Sequence, residues 1–325
     1  MTGLRTRLCD VLGIDVPILQ AGMAAYTNAE LVAAVSGAGG LGILGGVSRT
    51  AAELADEADR VRSLTDRPWG INLVIADTPL DDPKWDACFA ARPPLLSTSW
   101  GDVAPVMERA RQAGCRVIHQ VNTAAEAELA VRAGVDVIVA QGAEGGGHVG
   151  HVGTMALVPA VVDAAAGLPV IAAGGISDGR GVAAALALGA DGVLLGTRFL
   201  ATIEAPIPDG WKAALLASAG ERAIVSAVPD LIWGVDWPGA TCRVLRNRLI
   251  AEWDGNREAV LAQAEELGQA IETARESGEA EGLPLYAGQG TGLIREILPA
   301  AEVVRRLAVD ALDVLRGRSL ATSLA

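Results

Sequence analysis

Residues 169–199 read "PVIAAGGISDGRGVAAALALGADGVLLGTRF". The order is an apolar strand, a Gly-Gly turn, an alanine-rich helix, a glycine and a second apolar strand. Glycine can take the left-handed conformation that closes a helix, so Gly189 marks a turn from helix to strand. Two parallel strands that are joined by a helix are the unit that this order predicts.

The same junction recurs in the preceding part of the chain, in "VSGAGGLGILGG", "ARQAGCRVIHQV" and "AVRAGVDVIVAQG". The predicted strands are residues 17–20, 40–45, 69–75, 95–100, 116–121, 136–141, 169–173 and 192–199. Several are apolar at nearly every position, as expected of strands that are covered on both faces. Eight parallel strands with intervening helices, within about 200 residues, predict an α/β fold of the (β/α)8 TIM-barrel type. An open doubly wound sheet is the alternative.

The alternation of strand and helix ends after Phe199. Residues 206–283 look mostly helical and hold four of the seven tryptophans, namely Trp211, Trp233, Trp237 and Trp253. A loop and a long final helix follow. We therefore predict a TIM-barrel domain of residues 1–205 plus 284–325, with a helical cap, residues 206–283, inserted after strand eight. The tryptophans of the cap are expected to be packing residues rather than substrate contacts.

Composition limits the possible partners and the compartment. The 325 residues carry a net charge of −13, which argues against binding to nucleic acid or to an anionic membrane. The first residues lack the apolar core of a signal peptide, and later apolar runs are too short for a membrane span. The four cysteines are scattered without a C-x-x-C spacing, which is typical of free thiols in a reducing compartment. We expect a cytoplasmic monomer or homodimer that acts on a small molecule.

Two glycine clusters predict a phosphate site. In a TIM barrel the functional face lies at the C-terminal strand ends, and phosphate usually binds after strands seven and eight. Gly174 and Gly175 follow the seventh predicted strand, and a helix that begins near Asp178 directs its positive end to the same place. Gly196 and Thr197 offer further N–H groups and a hydroxyl at the eighth. Tight turns without a ligand are the alternative.

Other strand ends suit a flat aromatic cofactor. Gly22 and Met23, after the first strand, offer bare backbone and a thioether. Asn72 and Gln120 are amides that point into an otherwise apolar barrel. Buried amides need hydrogen-bond partners, and the carbonyl groups and ring nitrogens of a flavin would provide them. Alternatively, each amide bonds to neighbouring backbone.

Two of the three histidines lie in "AEGGGHVGHVGT", residues 143–154, the loop after the sixth strand. The glycines 145–147 would let the backbone pass close to a planar ring and would carry His148 to its reactive face. We interpret His148 as a general base or hydrogen-bond donor. No metal site is expected, because only His148 and His151 cluster and no cysteine accompanies them. His151 is assigned to the loop or the phosphate surroundings, and His119 to the barrel wall as a hydrogen-bonded histidine.

The ordered motifs "PILQAGMA", "AGGLGILGG", "WGINLVI", "QGAEGGGHVG", "PVIAAGGISDGRG" and "AGQGTGLI" resemble the nitronate monooxygenase family, formerly the 2-nitropropane dioxygenases. This FMN-dependent TIM-barrel superfamily also includes flavin enoyl-acyl-carrier-protein reductases. The resemblance implies that FMN is the cofactor and that His148 is catalytic. The implied cofactor contacts are Gly22, Met23, Asn72, Gln120, Gly146, Gly147, Ala173, Gly174, Gly175, Gly196 and Thr197. Gln120 departs from relatives that have lysine there.

The resemblance leaves two reactions open. In the first, which we expect, FMN and O2 oxidise an alkyl nitronate, such as propionate 3-nitronate, to a carbonyl compound and nitrite. His148 would hydrogen-bond the nitro group or deprotonate a neutral nitroalkane. In the alternative, NAD(P)H reduces FMN, which then reduces an enoyl-acyl-carrier-protein, enoyl-CoA or quinone substrate. A hypothesis of another class is a barrel that binds a phosphorylated metabolite without redox chemistry.

The cap contributes further candidates. "CRVLRNRLI" contains Arg243, Arg246 and Arg248, which form either a solvated, salt-bridged face or a docking site for a pyrophosphate or carboxylate. Tyr286 and Gln289, in "LYAGQG", could reach the substrate side of the flavin.

Overall fold

The computed structural model describes residues 3–235, 237 and 239–317. The strands are β1 (Ile18–Gln20), β2 (Leu41–Gly45), β3 (Trp69–Val74), β4 (Leu95–Ser99), β5 (Arg116–Val121), β6 (Val137–Gln141), β7 (Gly147–Val149), β8 (Val170–Ala173), β9 (Gly192–Leu195), β10 (Ala223–Ser226) and β11 (Thr241–Leu245). All except β7, β10 and β11 form one closed parallel barrel, which β1 closes by pairing with β9. The predicted TIM barrel is confirmed. Residues 1–2 and 318–325 of the predicted barrel domain lie outside the described residues.

The helices alternate with the barrel strands and then form most of the cap. They are α1 (Arg7–Leu12), α2 (Ala29–Gly37), α3 (Ala51–Leu64), α4 (Pro83–Ala91), α5 (Ala104–Ala113), α6 (Ala124–Ala133), α7 (Thr154–Ala164), α8 (Gly179–Ala187), α9 (Thr197–Leu200), α10 (Asp209–Ala217), α11 (Val228–Trp233), α12 (Arg248–Trp253), α13 (Arg257–Ala262), α14 (Ala264–Ser277) and α15 (Ala300–Leu315). The final helix, α15, returns to the barrel and packs between α8 and α2. Among these described helices, none has both the length and the apolar character needed to cross a membrane.

The barrel interior changes from apolar to polar along the strands. Successive side chains of a strand point to opposite faces, so every second residue faces inward. The inward residues in the lower part form one apolar cluster with α1, and include Leu19, Ile43, Leu95, Ile118, Val139, Ile171 and Leu194. The same alternation directs Asn72, Ser97, Gln120 and Gln141 inward at the C-terminal ends. The lower barrel is therefore a packed core, and its polar groups are concentrated at the mouth.

The eighth barrel strand is shorter than predicted. β9 ends at Leu195, whereas the prediction extended the strand to residue 199. Gly196 turns the chain, and α9 follows, so three consecutive side chains (Arg198, Phe199 and Leu200) are buried. Arg198 holds this turn because its guanidinium donates to the carbonyls of Ala201 (3.2 Å) and Glu296 (3.1 Å).

The cap is mainly helical but contains a small antiparallel sheet in the order β10-β11-β7. Its third strand, β7, comes from the loop after β6, where His148 is the register partner of Cys242. A loop of the barrel is therefore part of the cap sheet. Residues 236 and 238, within the predicted cap, lie outside the part of the chain that the structure describes.

Arg243 ties the cap to the barrel. It lies on β11 and is 9% exposed. Its Nε donates to the carbonyl of Ala143 (3.0 Å), in the loop after β6, and its Nη1 donates to that of Ala223 (2.6 Å). Burial lowers the pKa of this guanidinium, and the charge of Glu144 opposes that effect. The guanidinium of Arg243 therefore forms hydrogen bonds within the protein.

The other two arginines of the predicted docking cluster have different surroundings. Arg248 is exposed and pairs with Glu279 (2.5 Å), and Arg246 is exposed. The solvated, salt-bridged alternative therefore describes Arg248, whereas Arg243 is neither solvated nor free to dock a ligand.

Replacing Gly42 with alanine should weaken the contact between α2 and the barrel. A Cβ on Gly42 would lie 2.6 Å from Cα of Val32, so backbone would have to move. We expect Gly42→Ala to lower the free energy of unfolding by about 1–3 kcal/mol in urea titrations. Gly37→Ala is the control, because a Cβ there would meet nothing within 4 Å, and equal stability of the two variants would contradict this account.

Removing the Arg243 guanidinium should loosen the cap. Arg243→Met keeps an apolar stem but leaves the carbonyls of Ala143 and Ala223 without this donor, which should cost about 1–3 kcal/mol of stability. Thermal unfolding and limited proteolysis of the cap would measure the effect. Arg246→Met, at an exposed position, should change stability by less than about 0.5 kcal/mol. Similar losses in both variants would refute a specific role for Arg243.

Candidate active site

The amides at the barrel mouth are only partly satisfied by protein. Asn72 Nδ2 donates to the carbonyl and hydroxyl oxygens of Ser97 (both 3.2 Å), and Gln120 Nε2 donates to Gln141 Oε1 (2.9 Å). No described residue donates to the side-chain oxygens of Asn72 and Gln120. The mouth therefore presents amide acceptors, while the amide donors are held by neighbouring strands.

The tips of β1 and β9 adjoin at Met23. A Cβ on Gly196 would lie 3.4 Å from Met23 Sδ, so this thioether covers the turn into α9. Gly22 has a packing role, because a Cβ there would lie 3.2 Å from Cγ of Asn72 and 3.3 Å from a methyl group of Ile43. A side chain at position 22 would collide with residues of the barrel wall, which explains why this residue is glycine.

The predicted phosphate region combines bare backbone with the returning loop. Gly174 (φ +99°) and Gly175 (φ +73°) follow the buried end of β8 at Ala173, and both conformations favour glycine. The hydroxyl oxygen of Thr197 accepts a hydrogen bond from Gly288 N (2.9 Å), which places the loop before α15 beside the tip of β9. The strand tips and this loop enclose a backbone-lined region.

One part of the phosphate prediction needs correction. The Asp178 carboxylate caps α8 and accepts from the amides of Arg180 (3.0 Å) and Gly181 (3.1 Å). The positive end of this helix is therefore already neutralised by its own side chain. The glycine amides and Thr197 remain as candidate anion donors.

The histidine-bearing loop is held at both ends. Ala143 N donates to the carbonyl of Val152 (2.8 Å), and the Glu144 carboxylate accepts from Thr154 N and Oγ1 (both 2.8 Å), at the start of α7. Gly146 packs tightly, since a Cβ there would lie 2.7 Å from Gly288 N. Gly147 (φ +71°) is different, because a Cβ there would meet nothing within 4 Å. The backbone at Gly147 therefore has space beside it.

His148 is fixed by two residues of the cap. Its Nε2 lies 2.8 Å from Oδ1 of Asp230 on α11, and the Trp237 ring stacks on the imidazole at 3.8 Å and 21°. The side chains of His148 and Asp230 are 18% and 20% exposed. Because a carboxylate accepts, Nε2 must carry the proton, which leaves the lone pair of a neutral imidazole on Nδ1. The dyad thus sets both the tautomer and the plane of the ring.

This dyad lies above strands β3 to β5. A Cβ on Gly150, two residues after His148, would lie 2.7 Å from Cβ of Asn122 at the end of β5. Asp77, in the loop after β3, has a pKa raised by burial, with the charges of Lys84 and His148 opposing the rise. The edge of Trp100, after β4, meets Trp237 at 6.3 Å. His148 is therefore surrounded by loops of the mouth.

The other residues that the sequence analysis proposed differ in whether they lie near the candidate site or in the barrel wall. His151 is exposed and is outside the dyad. His119 hydrogen-bonds Thr98 Oγ1 (2.9 Å) in the barrel wall, and burial lowers its pKa to about 4. Burial and the charges of Cys242, Tyr26 and Asp230 raise the pKa of Tyr286, whose ring centroid lies 6.3 Å from that of Tyr26. Gln289 is exposed, and its backbone N bonds to the carbonyl of Glu144 (2.9 Å).

Sequence reasoning missed three participants. Asp230 and Cys242 reach His148 only through the cap fold, and Glu144, although it lies within "AEGGGHVGHVGT", carries no sequence signal for its bonds to Thr154. Among the cap tryptophans, Trp211 packs on Tyr26 at 4.8 Å, as expected of a packing residue. Trp237 instead contacts His148, so a tryptophan assigned to packing belongs to the candidate site.

Comparison with known proteins places this geometry in a family. The nitronate monooxygenase family model matches residues 5–102 and 81–310. A nitronate monooxygenase of Paraburkholderia phytofirmans is 37% identical, with 94% of each chain covered. A Mycobacterium tuberculosis relative, "(3aS,4S,5R,7aS)-5-hydroxy-7a-methyl-1-oxo-octahydro-1H-indene-4-carboxyl-CoA dehydrogenase", is 38% identical over 258 residues, which are 79% of this chain and 70% of that protein.

Comparison with a solved structure supports the same family assignment. FabK from Thermotoga maritima superposes with a TM-score of 0.88 at 34% identity, covering 97% of this chain and 98% of its own. The similarity extends through the barrel and the cap, since nearly all of both chains is matched. The chain therefore belongs to the nitronate monooxygenase family and is an oxidoreductase.

Proposed function

We propose that the protein uses FMN to oxidise alkyl nitronates, such as propionate 3-nitronate, with O2 to a carbonyl compound and nitrite. The observation that carries this proposal is the His148–Asp230 pair at the barrel mouth, at 2.8 Å, beside unpaired amide acceptors. The nitronate monooxygenase relative that matches along 94% of the chain supports the choice of substrate.

The residues at the mouth fit FMN. A side-chain oxygen of Asn72 or Gln120 can accept from the one N–H of the oxidised flavin ring, and a Cβ at Gly147 would meet no protein atom within 4 Å. Candidate phosphate donors are the amides after Ala173, at Gly174 and Gly175, and those at Gly196 and Thr197. Met23 would pack at the ring edge, whereas Gly22 and Gly146 shape the site through protein contacts. When bound, FMN would accept electrons from the substrate and pass them to dioxygen.

His148 has a defined role in this reaction. Asp230 holds the Nε2 proton, so Nδ1 is the nitrogen left for the substrate. It can take a proton from a neutral nitroalkane, or, once protonated, donate a hydrogen bond to the nitro group of an anionic nitronate. The Asp230 carboxylate stabilises the positive charge of the doubly protonated ring, as a carboxylate does in a catalytic triad. Stacking on Trp237 keeps the ring in one plane.

A second candidate function follows from the other relatives. The M. tuberculosis protein is named a CoA-ester dehydrogenase, and FabK has the same architecture over 98% of its length. These similarities favour an NAD(P)H-dependent FMN reductase of enoyl-acyl-carrier-protein, enoyl-CoA or quinone substrates. His148 would then orient the acceptor, with Asp230 serving the same purpose.

Anaerobic stopped-flow mixing separates the hypotheses. Propionate 3-nitronate should bleach the flavin of the purified protein without any nicotinamide, and O2 should restore the colour with release of nitrite. Bleaching only by NADH or NADPH would instead establish the reductase. A colourless protein that binds phosphorylated metabolites would contradict both enzyme hypotheses.

Substitutions of the dyad test the role of His148. His148→Ala should keep its FMN but lose most turnover. Asp230→Asn should lower kcat roughly 10- to 100-fold, because the doubly protonated ring loses its anionic partner. Asp254→Asn is the matched control, since Asp254 is a cap carboxylate that bonds to Ser226 (2.7 Å). Wild-type turnover in His148→Ala would end the case for this histidine.

A further inference from the structure

We propose that His148, Asp230 and Cys242 form a binding site for a divalent metal of the Zn²⁺ class, and that the metal inhibits turnover by occupying His148. The inhibition rests on the proposed function, whereas metal binding does not. The ligand set was not foreseen, because the sequence suggested only His148 and His151 as a pair, and His151 is exposed outside this cluster.

The fold brings the three ligand atoms together from three elements. Imidazole nitrogen, carboxylate oxygen and Sγ all lie within 4.8 Å of one another. His148 on β7 and Cys242 on β11 are register partners in an antiparallel ladder, so their side chains leave the same face of the sheet. Helix α11 supplies Asp230, which is 2.8 Å from His148 Nε2. Each ligand thus has a separate backbone support.

The spacing suits a tetrahedral metal after small side-chain movements. Zinc binds imidazole, carboxylate and thiolate at about 2.0–2.3 Å, so ligands on a tetrahedron are roughly 3.3–3.8 Å apart. In the structure the ligand atoms are separated by distances from 2.8 Å up to 4.8 Å, which include values below and above this range. Three protein ligands leave a fourth position for water, and a sulfur ligand selects against Mg²⁺ and Ca²⁺.

The surroundings favour a metal over a free thiolate. Cys242 is fully buried, and its Sγ lies within 4.8 Å of a carboxylate oxygen of Asp230 and of a ring nitrogen of His148. A metal ion would compensate the thiolate and the carboxylate at once. His148 and Asp230, about a fifth exposed, give an entry from the barrel mouth. With a neutral imidazole, binding releases the thiol proton, the ring proton moves from Nε2 to Nδ1 as Nε2 takes the metal, and Asp230 enters as the carboxylate.

Binding and inhibition can be measured separately on the FMN-loaded enzyme after EDTA treatment. Zinc K-edge absorption should show one sulfur neighbour at about 2.3 Å. Titration calorimetry with ZnCl2 in two buffers of different ionisation enthalpy should show release of one proton, that of the Cys242 thiol. Zn²⁺ should abolish turnover, and EDTA should restore it.

Variants identify the ligands. Cys242→Ser, or Cys242→Ala if the first is unstable, should lose the sulfur signal, release one proton fewer and bind Zn²⁺ at least tenfold more weakly. Cys115→Ser and His151→Asn are the controls and should bind as the wild type does. Zn²⁺ bound without sulfur, or equally well by the Cys242 variants, would overturn the site. Sulfur-ligated Zn²⁺ without loss of turnover would support the site and overturn the inhibition.

Discussion

The antiparallel pairing of β7 with β11 is the interaction on which the candidate active site depends. Three residues of a barrel loop form the edge strand of the cap sheet, so His148 is connected covalently to the barrel and by hydrogen bonds to the cap. A strand of three residues would not be stable alone. It is supported by Arg243, which bonds to the carbonyl of Ala143, and by Gly146 against the returning loop. Displacing the cap would therefore also displace the histidine.

Charge at the mouth is balanced locally, although the whole chain is strongly acidic. Glu144 receives the first amide of α7, Asp230 is paired with His148, and Asp77 lies near Lys84. An anionic substrate that approaches a protein of net charge −13 must be met by donors placed at the site itself. On the proposed function, the doubly protonated imidazole of His148 would be such a donor, and the glycine amides at the strand tips would serve the cofactor phosphate.

The barrel could be predicted from sequence because its signals are local. In the barrel, glycines that close helices, such as Gly114, Gly134 and Gly189, are followed within a few residues by an apolar strand, so the order of elements follows from neighbouring residues. The eighth strand was extended too far because "TRFL" is as apolar as a strand end. These residues belong to α9, which buries consecutive side chains, and this pattern is not evident from the sequence.

The candidate site was predictable only on its barrel side. Asn72 and Gln120 could be placed because they lie on predicted strands, and the loop of His148 because it follows one. Asp230, Cys242 and Trp237 could not be placed, since their proximity to His148 depends on pairing between strands far apart in the chain. Gly22 and Gly146 also have a packing role, because a Cβ at either position would meet protein atoms, and their contact with the cofactor stays a prediction.

The route of the chain has an evolutionary consequence. Everything between α9 and the loop before α15 is a single excursion, which leaves the barrel once and returns once. That excursion contributes the partner of His148, whereas the strand tips contribute the proposed cofactor wall. Substitutions within the excursion can therefore change the partner of His148 while the residues of the strand tips stay the same.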